Sequence, residues 1–395
     1  MQLHVSFKGL LAAVVVALYA CDDAAAAPTA FPIINGESDN STIASRAPTP
    51  LRIPLTPVNE DLNYIASLSI GNNPRPFNVV MDTGSSDFWV YAEACPQRGT
   101  HNGVSPATSP ELRVDNRVRW NLRYAEGSFV RGIAAEDIVR LGDAPFSSYV
   151  VFGLAGQAAG AITSGIEDGV LGFGLQVSLL WINLQLAAVF MHARQSGSRI
   201  GIPNVAEDLA RQGFIPAPIL GWFLSRALDG GHGGELSLGA PNQAKFDPGS
   251  LTPPIPNVDE EHWGVTVTGV KINGMPIPAN RDRVALLDTG STEIRLPFLD
   301  ANTVNQQLGG LLDAPTRTFY IPCDTDRQVS FTIANQDWVI DPRDLVARRF
   351  RRGVWCQSNI QGHQDVAVTL GTAFMKNVYA IMNYATNEIQ LARLH

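Results

Sequence analysis

Asp82-Thr83-Gly84-Ser85-Ser86 recurs almost letter for letter as Asp288-Thr289-Gly290-Ser291-Thr292. Each copy ends an apolar run, Phe77-Asn78-Val79-Val80-Met81 before the first and Val284-Ala285-Leu286-Leu287 before the second. One Asp-Thr-Gly means little, because Asp and Gly suit many turns. Two copies, each at the end of a strand-like run, predict a two-lobed molecule that brings two carboxylates together. Facing carboxylates do not readily both ionise, so such a pair holds an acid and a base at once.

The duplication extends further. Gly169-Val170-Leu171-Gly172 follows the first copy and Val368-Thr369-Leu370-Gly371 the second, 90 residues from Asp82 to Gly172 and 83 from Asp288 to Gly371. Each half therefore reads as strand, Asp-Thr-Gly turn, intervening strands, and a strand ending in Leu-Gly, the mark of an internal repeat.

Composition agrees with two cored, β-rich lobes. The chain has 395 residues, 45% of them apolar, with 35 Gly and 26 Pro breaking short runs of β-branched and aromatic residues. Tyr64-Ile65-Ala66-Ser67-Leu68-Ser69-Ile70 alternates with period two, and Gly264 to Val270 reads as a second strand. A net charge of −8 with no basic stripe argues against a nucleic-acid partner. The seven histidines are scattered, and no His-Glu-x-x-His, Gly-x-Ser-x-Gly or Cys-x-x-Cys element is present. No metal or cofactor is expected.

These motifs resemble those of the pepsin-like aspartic proteases, most closely the secreted fungal members. Asp82 to Val90 resembles the first catalytic loop with the tryptophan, Trp89, behind it. Tyr124-Ala125-Glu126-Gly127-Ser128 stands where the family carries its active-site flap. Asp168 to Gly172, Leu287 to Thr292, and Leu370 to Met375 with Val378 to Met382, which match the closing strands, follow in order. The resemblance spans about residues 50 to 395. It implies an all-β, bilobal pepsin-like fold, two similar lobes with the active cleft between them. It also implies hydrolysis of peptide bonds by a water activated between Asp82 and Asp288, at acid pH. Thr83 and Thr289 then lock the two loops across the lobes, Ser85 and Ser291 hold the outer carboxylate oxygens, and Gly84 and Gly290 permit the tight turns. Tyr124 closes over substrate and bonds toward Trp89, with Glu126, Gly127 and Ser128 completing the flap. Cys323 and Cys356 match the disulfide of the second lobe, leaving Cys95 as a buried free thiol. The substrate is an extended polypeptide and the enzyme a monomer.

Three departures stand out. Ala125 replaces the usual flap glycine. Glu126 and Glu293 put carboxylates near the subsites, either disfavouring acidic substrates or simply solvated. Thr372 replaces the aspartate that commonly follows this Leu-Gly, removing a negative charge near the pair and so lowering its proton affinity, other things equal. A pepsin-like protein that binds or inhibits without cleaving is the alternative.

The domain reading is a signal peptide over 1–27, a short propeptide or leader over 28–50 with Arg46 as its one basic residue, a first lobe over 51–225 and a second over 226–395. Leu10 to Ala20 is apolar but too short to span a bilayer, so no membrane anchor is expected and the protein is secreted, the vacuole being the other destination. Asn40-Ser41-Thr42 is a glycosylation sequon. Within the first lobe, Leu179 to Met191 is strongly apolar where the family has a short polar loop. One reading is a buried or partner-binding helix. The preferred one is a retained intron over 177–195, because Val177-Ser178 fits a donor-like GTNAGY and Gln195 an acceptor-like CAG. Arg348-Arg349-Phe350-Arg351-Arg352 reads as a solvated loop, with a processing site as the sharper alternative.

Overall fold

The computed structural model describes residues 47–124, 126–142, 148–175, 204–230, 233–278, 282–364 and 367–395. The leader with Asn40, residue Ala125 and the 177–195 segment lie outside the described residues.

Alternation writes the first strand. Leu51–Val58 buries Leu51, Ile53, Leu55 and Val58 and exposes Arg52, Pro54 and Thr56. Asn63–Ile70 follows, one residue longer than the alternation predicts. Phe77–Asp82 departs from strict alternation, every residue but Asn78 being buried. It sits between two strands, antiparallel to Asn63–Ile70 and parallel to Gly169–Gly172, and is covered on both faces.

The same unit is built a second time. Arg283–Leu287, which leads into Asp288, pairs antiparallel with Gly264–Ile272 and parallel with Val368–Leu370. In each half the Leu-Gly strand then pairs antiparallel with the strand after the Asp-Thr-Gly turn, Phe88–Tyr91 in the first and Ile294–Pro297 in the second. The fold is all-β and bilobal. The halves also share a sheet: Tyr379–Asn383 pairs with Ile219–Phe223, Ala380 opposite Trp222. Phe173, Trp222, Trp263, Phe246 and Tyr379 fill the core around this seam. Phe173 meets Trp222 edge-on, and Trp263 donates its indole N–H to the Phe173 carbonyl at 2.9 Å.

One expectation is corrected in detail. After Leu370-Gly371 the chain does not run on as strand: Thr372–Met375 is a helical turn, closed by Met375 N to Gly371 O at 2.9 Å and Lys376 N to Thr372 O at 3.0 Å. Ala, Phe and Met accept either backbone state, and the close seat of Gly371 under the Asp288 loop turns the chain. A buried disulfide joins Cys323 to Cys356, 33 residues apart. Cys95 is buried and free. Arg352 donates to Asp313 at 3.0 Å and stacks over the Tyr320 ring. Among the described residues no helix is long and apolar enough to cross a membrane.

Candidate active site

Asp82 closes the strand Phe77–Asp82 in register with Gly172, and Asp288 follows Leu287, which is in register with Leu370. Each carboxylate is gripped by its own loop in the same way. Gly84 N donates to Asp82 Oδ1 at 2.8 Å and Ser85 Oγ to Oδ2 at 2.5 Å. Gly290 N donates to Asp288 Oδ1 at 2.9 Å and Ser291 Oγ to Oδ2 at 2.6 Å.

The two loops are then locked together. Thr83 N donates to Thr289 Oγ1 at 3.0 Å and Thr289 N to Thr83 Oγ1 at 2.9 Å. Each hydroxyl passes its proton on to the opposite strand, Thr83 Oγ1 to Leu287 O at 2.8 Å and Thr289 Oγ1 to Met81 O at 2.6 Å. Both threonines are fully buried, so these donors and acceptors have no recourse to water and the grip is obligatory.

Glycine is required at the loops for space. A Cβ on Gly84 would lie 2.3 Å from Asp288 Oδ1, and one on Gly290 would lie 2.2 Å from Asp82 Oδ1. Each aspartate therefore faces the other loop's glycine across a gap that admits no side chain. The Leu-Gly repeats serve the same end: Gly172 and Gly371 pass so close beneath the loops that a Cβ would meet Ser85 O or Ser291 O at 2.5 Å.

The pair is asymmetric. Asp82 is 7% exposed, whereas Asp288 is half-buried. Burial first, and the facing Asp288 carboxylate second, push the Asp82 carboxyl up to about 7, against the opposing pull of Ser85 and Gly84.

Over this pair hangs the hairpin of Arg113–Arg123 and Phe129–Leu141. Its tip is turned by Gly127 N to Tyr124 O at 3.0 Å and Tyr124 N to Ser128 O at 2.8 Å, with Gly127 at φ 97°. Trp89 Nε1 donates to Tyr124 Oη at 2.7 Å. Ser128 is buried where the turn closes, while Glu126 and Gly127 are exposed at the tip.

A cavity of about 590 Å³ opens beside the pair, with Trp89, Tyr124 and Glu126 on one wall and Gly290, Ser291 and Glu293 on the other. Glu293 is not simply solvated: it accepts from Arg295 at 3.2 Å and from Gln357 at 3.1 Å. Thr372 turns its hydroxyl to the Asp61 carbonyl at 3.2 Å, away from any catalytic contact. One turn on, buried Lys376 lies between Asp61 at 3.1 Å and Asp344 at 2.9 Å, and Arg226 donates to the same Asp344 at 2.7 Å. Sequence reasoning missed this ionic seam; its partners lie up to 315 positions apart, and no local pattern marks them. It also missed Asp168, whose buried carboxylate accepts from Asn78 N at 2.9 Å and Asn102 N at 2.6 Å.

Two carboxylates are held face to face, under a hairpin and in a cleft between duplicated lobes. The model of the eukaryotic aspartyl protease family matches residues 63–394. Rhizopuspepsin of Rhizopus chinensis is 30% identical over 343 residues, covering 86% of this chain and 80% of the relative. Syncephapepsin of Syncephalastrum racemosum is 27% identical over 379 residues, covering 95% and 88%. An aspartic-type endopeptidase of Aspergillus fumigatus is 26% identical over 370 residues, covering 92% and 72%. The chain belongs to the eukaryotic aspartyl protease family. It is a hydrolase, an aspartic-type endopeptidase.

Proposed function

We propose that the chain cleaves extended polypeptides at acid pH with Asp82 and Asp288 as its catalytic pair. The observation that carries this reading is the reciprocal close approach of each carboxylate to the other loop's glycine. With one proton on the pair, the ionised carboxylate takes a proton from a water as its oxygen attacks the peptide carbonyl carbon. The protonated partner gives its proton to the carbonyl oxygen, leaving a neutral tetrahedral diol. Collapse returns one hydroxyl proton to the pair, a proton passes to the amide nitrogen, and the C–N bond breaks. Atoms balance with one water consumed, and no covalent enzyme intermediate forms.

Tyr124 and its hairpin cover the peptide, and the side chains alternate into pockets along the cleft as an extended strand requires. Glu126, exposed at the tip, disfavours acidic side chains beneath it. The enzyme acts as a monomer outside the cell, a reading supported by its apolar leader. Binding without cleavage is the weaker reading, because both Asp-Thr-Gly-Ser loops are intact and facing.

The test is digestion of a denatured protein across a pH series, with and without pepstatin, by the native chain and by Asp82→Asn and Asp288→Asn. Each substitution is expected to lower kcat/KM by at least about 10³-fold. Undiminished proteolysis by either variant, or a rate that climbs steadily to pH 8, would sink the proposal.

A further inference from the structure

The cleft holds a third glutamate whose setting differs from the other two. Glu293 is already engaged by Arg295, and Glu126 stands exposed on the hairpin tip. Glu167 is half-buried in the wall of the same cavity as Tyr124 and Ser291. Asn63 donates Nδ2–H to Glu167 Oε1 at 2.9 Å, fixing one oxygen with a neutral partner. Among the described residues no cation pairs with Glu167. Its second oxygen lies over Gly165, where a Cβ would sit 1.7 Å from Oε2. The same cavity is lined in part by apolar side chains, Trp89, Ile162, Ile166 and Val170, beside polar ones.

An anchored carboxylate in a cavity partly lined by apolar side chains has a natural complement. Lysine and arginine lay their methylene stems along apolar surface and keep the charged head for a polar partner. An acidic side chain there would meet a like charge and lose its hydration. The geometry points to Glu167 as a specificity-determining residue that selects a cationic side chain of the polypeptide substrate. The inference rests on reading this cavity as the substrate cleft. Glu167 stands five residues before Gly172, just outside the strand Gly169–Gly172 whose end is in register with Asp82.

The experiment uses internally quenched peptides of one parent sequence, with Lys, Arg, Gln or Glu scanned through the positions on both sides of the cut. Assay at about pH 5.5 keeps ordinary glutamates ionised. At one position, Lys or Arg should exceed Gln in kcat/KM by about tenfold. Glu167→Gln should bring that ratio to within about twofold, and Glu167→Lys should turn it toward Glu. The inference falls if the ratio survives Glu167→Gln, if it depends on Glu126→Gln instead, or if no position favours a cation. Binding of the Lys and Gln peptides to the Asp82→Asn, Asp288→Asn double variant, read by fluorescence anisotropy, separates this inference from the catalytic one. A Glu167-dependent Kd ratio in the double variant, together with no cleavage by the native chain, would uphold the specificity residue while sinking the mechanism. Cleavage with no Glu167-dependent ratio would do the reverse.

Discussion

Around Asp82 and around Asp288 the hydrogen bonds correspond atom for atom: glycine N–H on one oxygen, serine hydroxyl on the other, threonine reaching across. The surroundings do not correspond. Asp82 lies beneath the Tyr124 hairpin and is nearly buried, while Asp288 keeps more contact with solvent along the cleft. Near-identical loops thus become chemically unequal through what covers them. Desolvation, not a difference in covalent structure, raises the proton affinity on the Asp82 side.

The comparison can be broken most severely at the glycines. Gly84→Ala and Gly290→Ala each drive a methyl into the opposite carboxylate, and each should cost at least about 10²-fold in kcat/KM, since displacing a reacting group by an ångström has that effect. Equal losses from the two would show that the loops contribute equally; a large loss from one alone would contradict the reciprocal geometry. The cysteines differ between the halves and should differ in energy. Replacing Cys323 and Cys356 by serine opens a crosslink spanning 33 residues and should lower unfolding free energy by about 3–4 kcal/mol in denaturant titration. Cys95→Ser, which severs no crosslink, should cost no more than about 1–2 kcal/mol.

A finer probe is the threonine grip. Thr83→Val and Thr289→Val each leave a buried N–H and a buried carbonyl without their partner and should destabilise by about 1–3 kcal/mol, seen as a lower Tm. The two costs should be non-additive, because both hydroxyls belong to one interlocked set of bonds between the same two loops.

The pH dependence sharpens the asymmetry itself. Asp82 is raised from the ordinary 3.8 to about 7, so the folded state binds more protons than the unfolded state within that window. The cost of ionising it is absent below about pH 4, grows as pH rises, and is fully present above about 7. Asp82→Asn should therefore gain in Tm relative to the native chain on going from about pH 4 to 7, and show no such gain at lower pH. A difference between the two proteins that stays flat across this range would remove the argument for burial as the cause.

Much of the site could be read in the chain before folding. The duplicated Asp-Thr-Gly-Ser loops and the paired Leu-Gly strands are short, local and repeated, so pattern alone exposes them, whereas Tyr124 was marked only by the family resemblance. The strand Gly169–Gly172 falls where the repeat puts it. Thr372–Met375 was less legible, because an apolar Ala-Phe-Met run has no period that separates helical turn from strand over so few residues.

The sequence by itself determined that two acid loops of one design exist and that each is fed by an apolar strand, because local turn chemistry and β-alternation act over a few residues. Tertiary structure alone decided which groups meet across the chain: Asn63 with Glu167, 104 positions apart, and Lys376 with Asp61, 315 apart. It also decided that one aspartate is covered and the other open. Burial and long-range contact depend on how distant segments pack, and neither leaves a mark in the residues nearby.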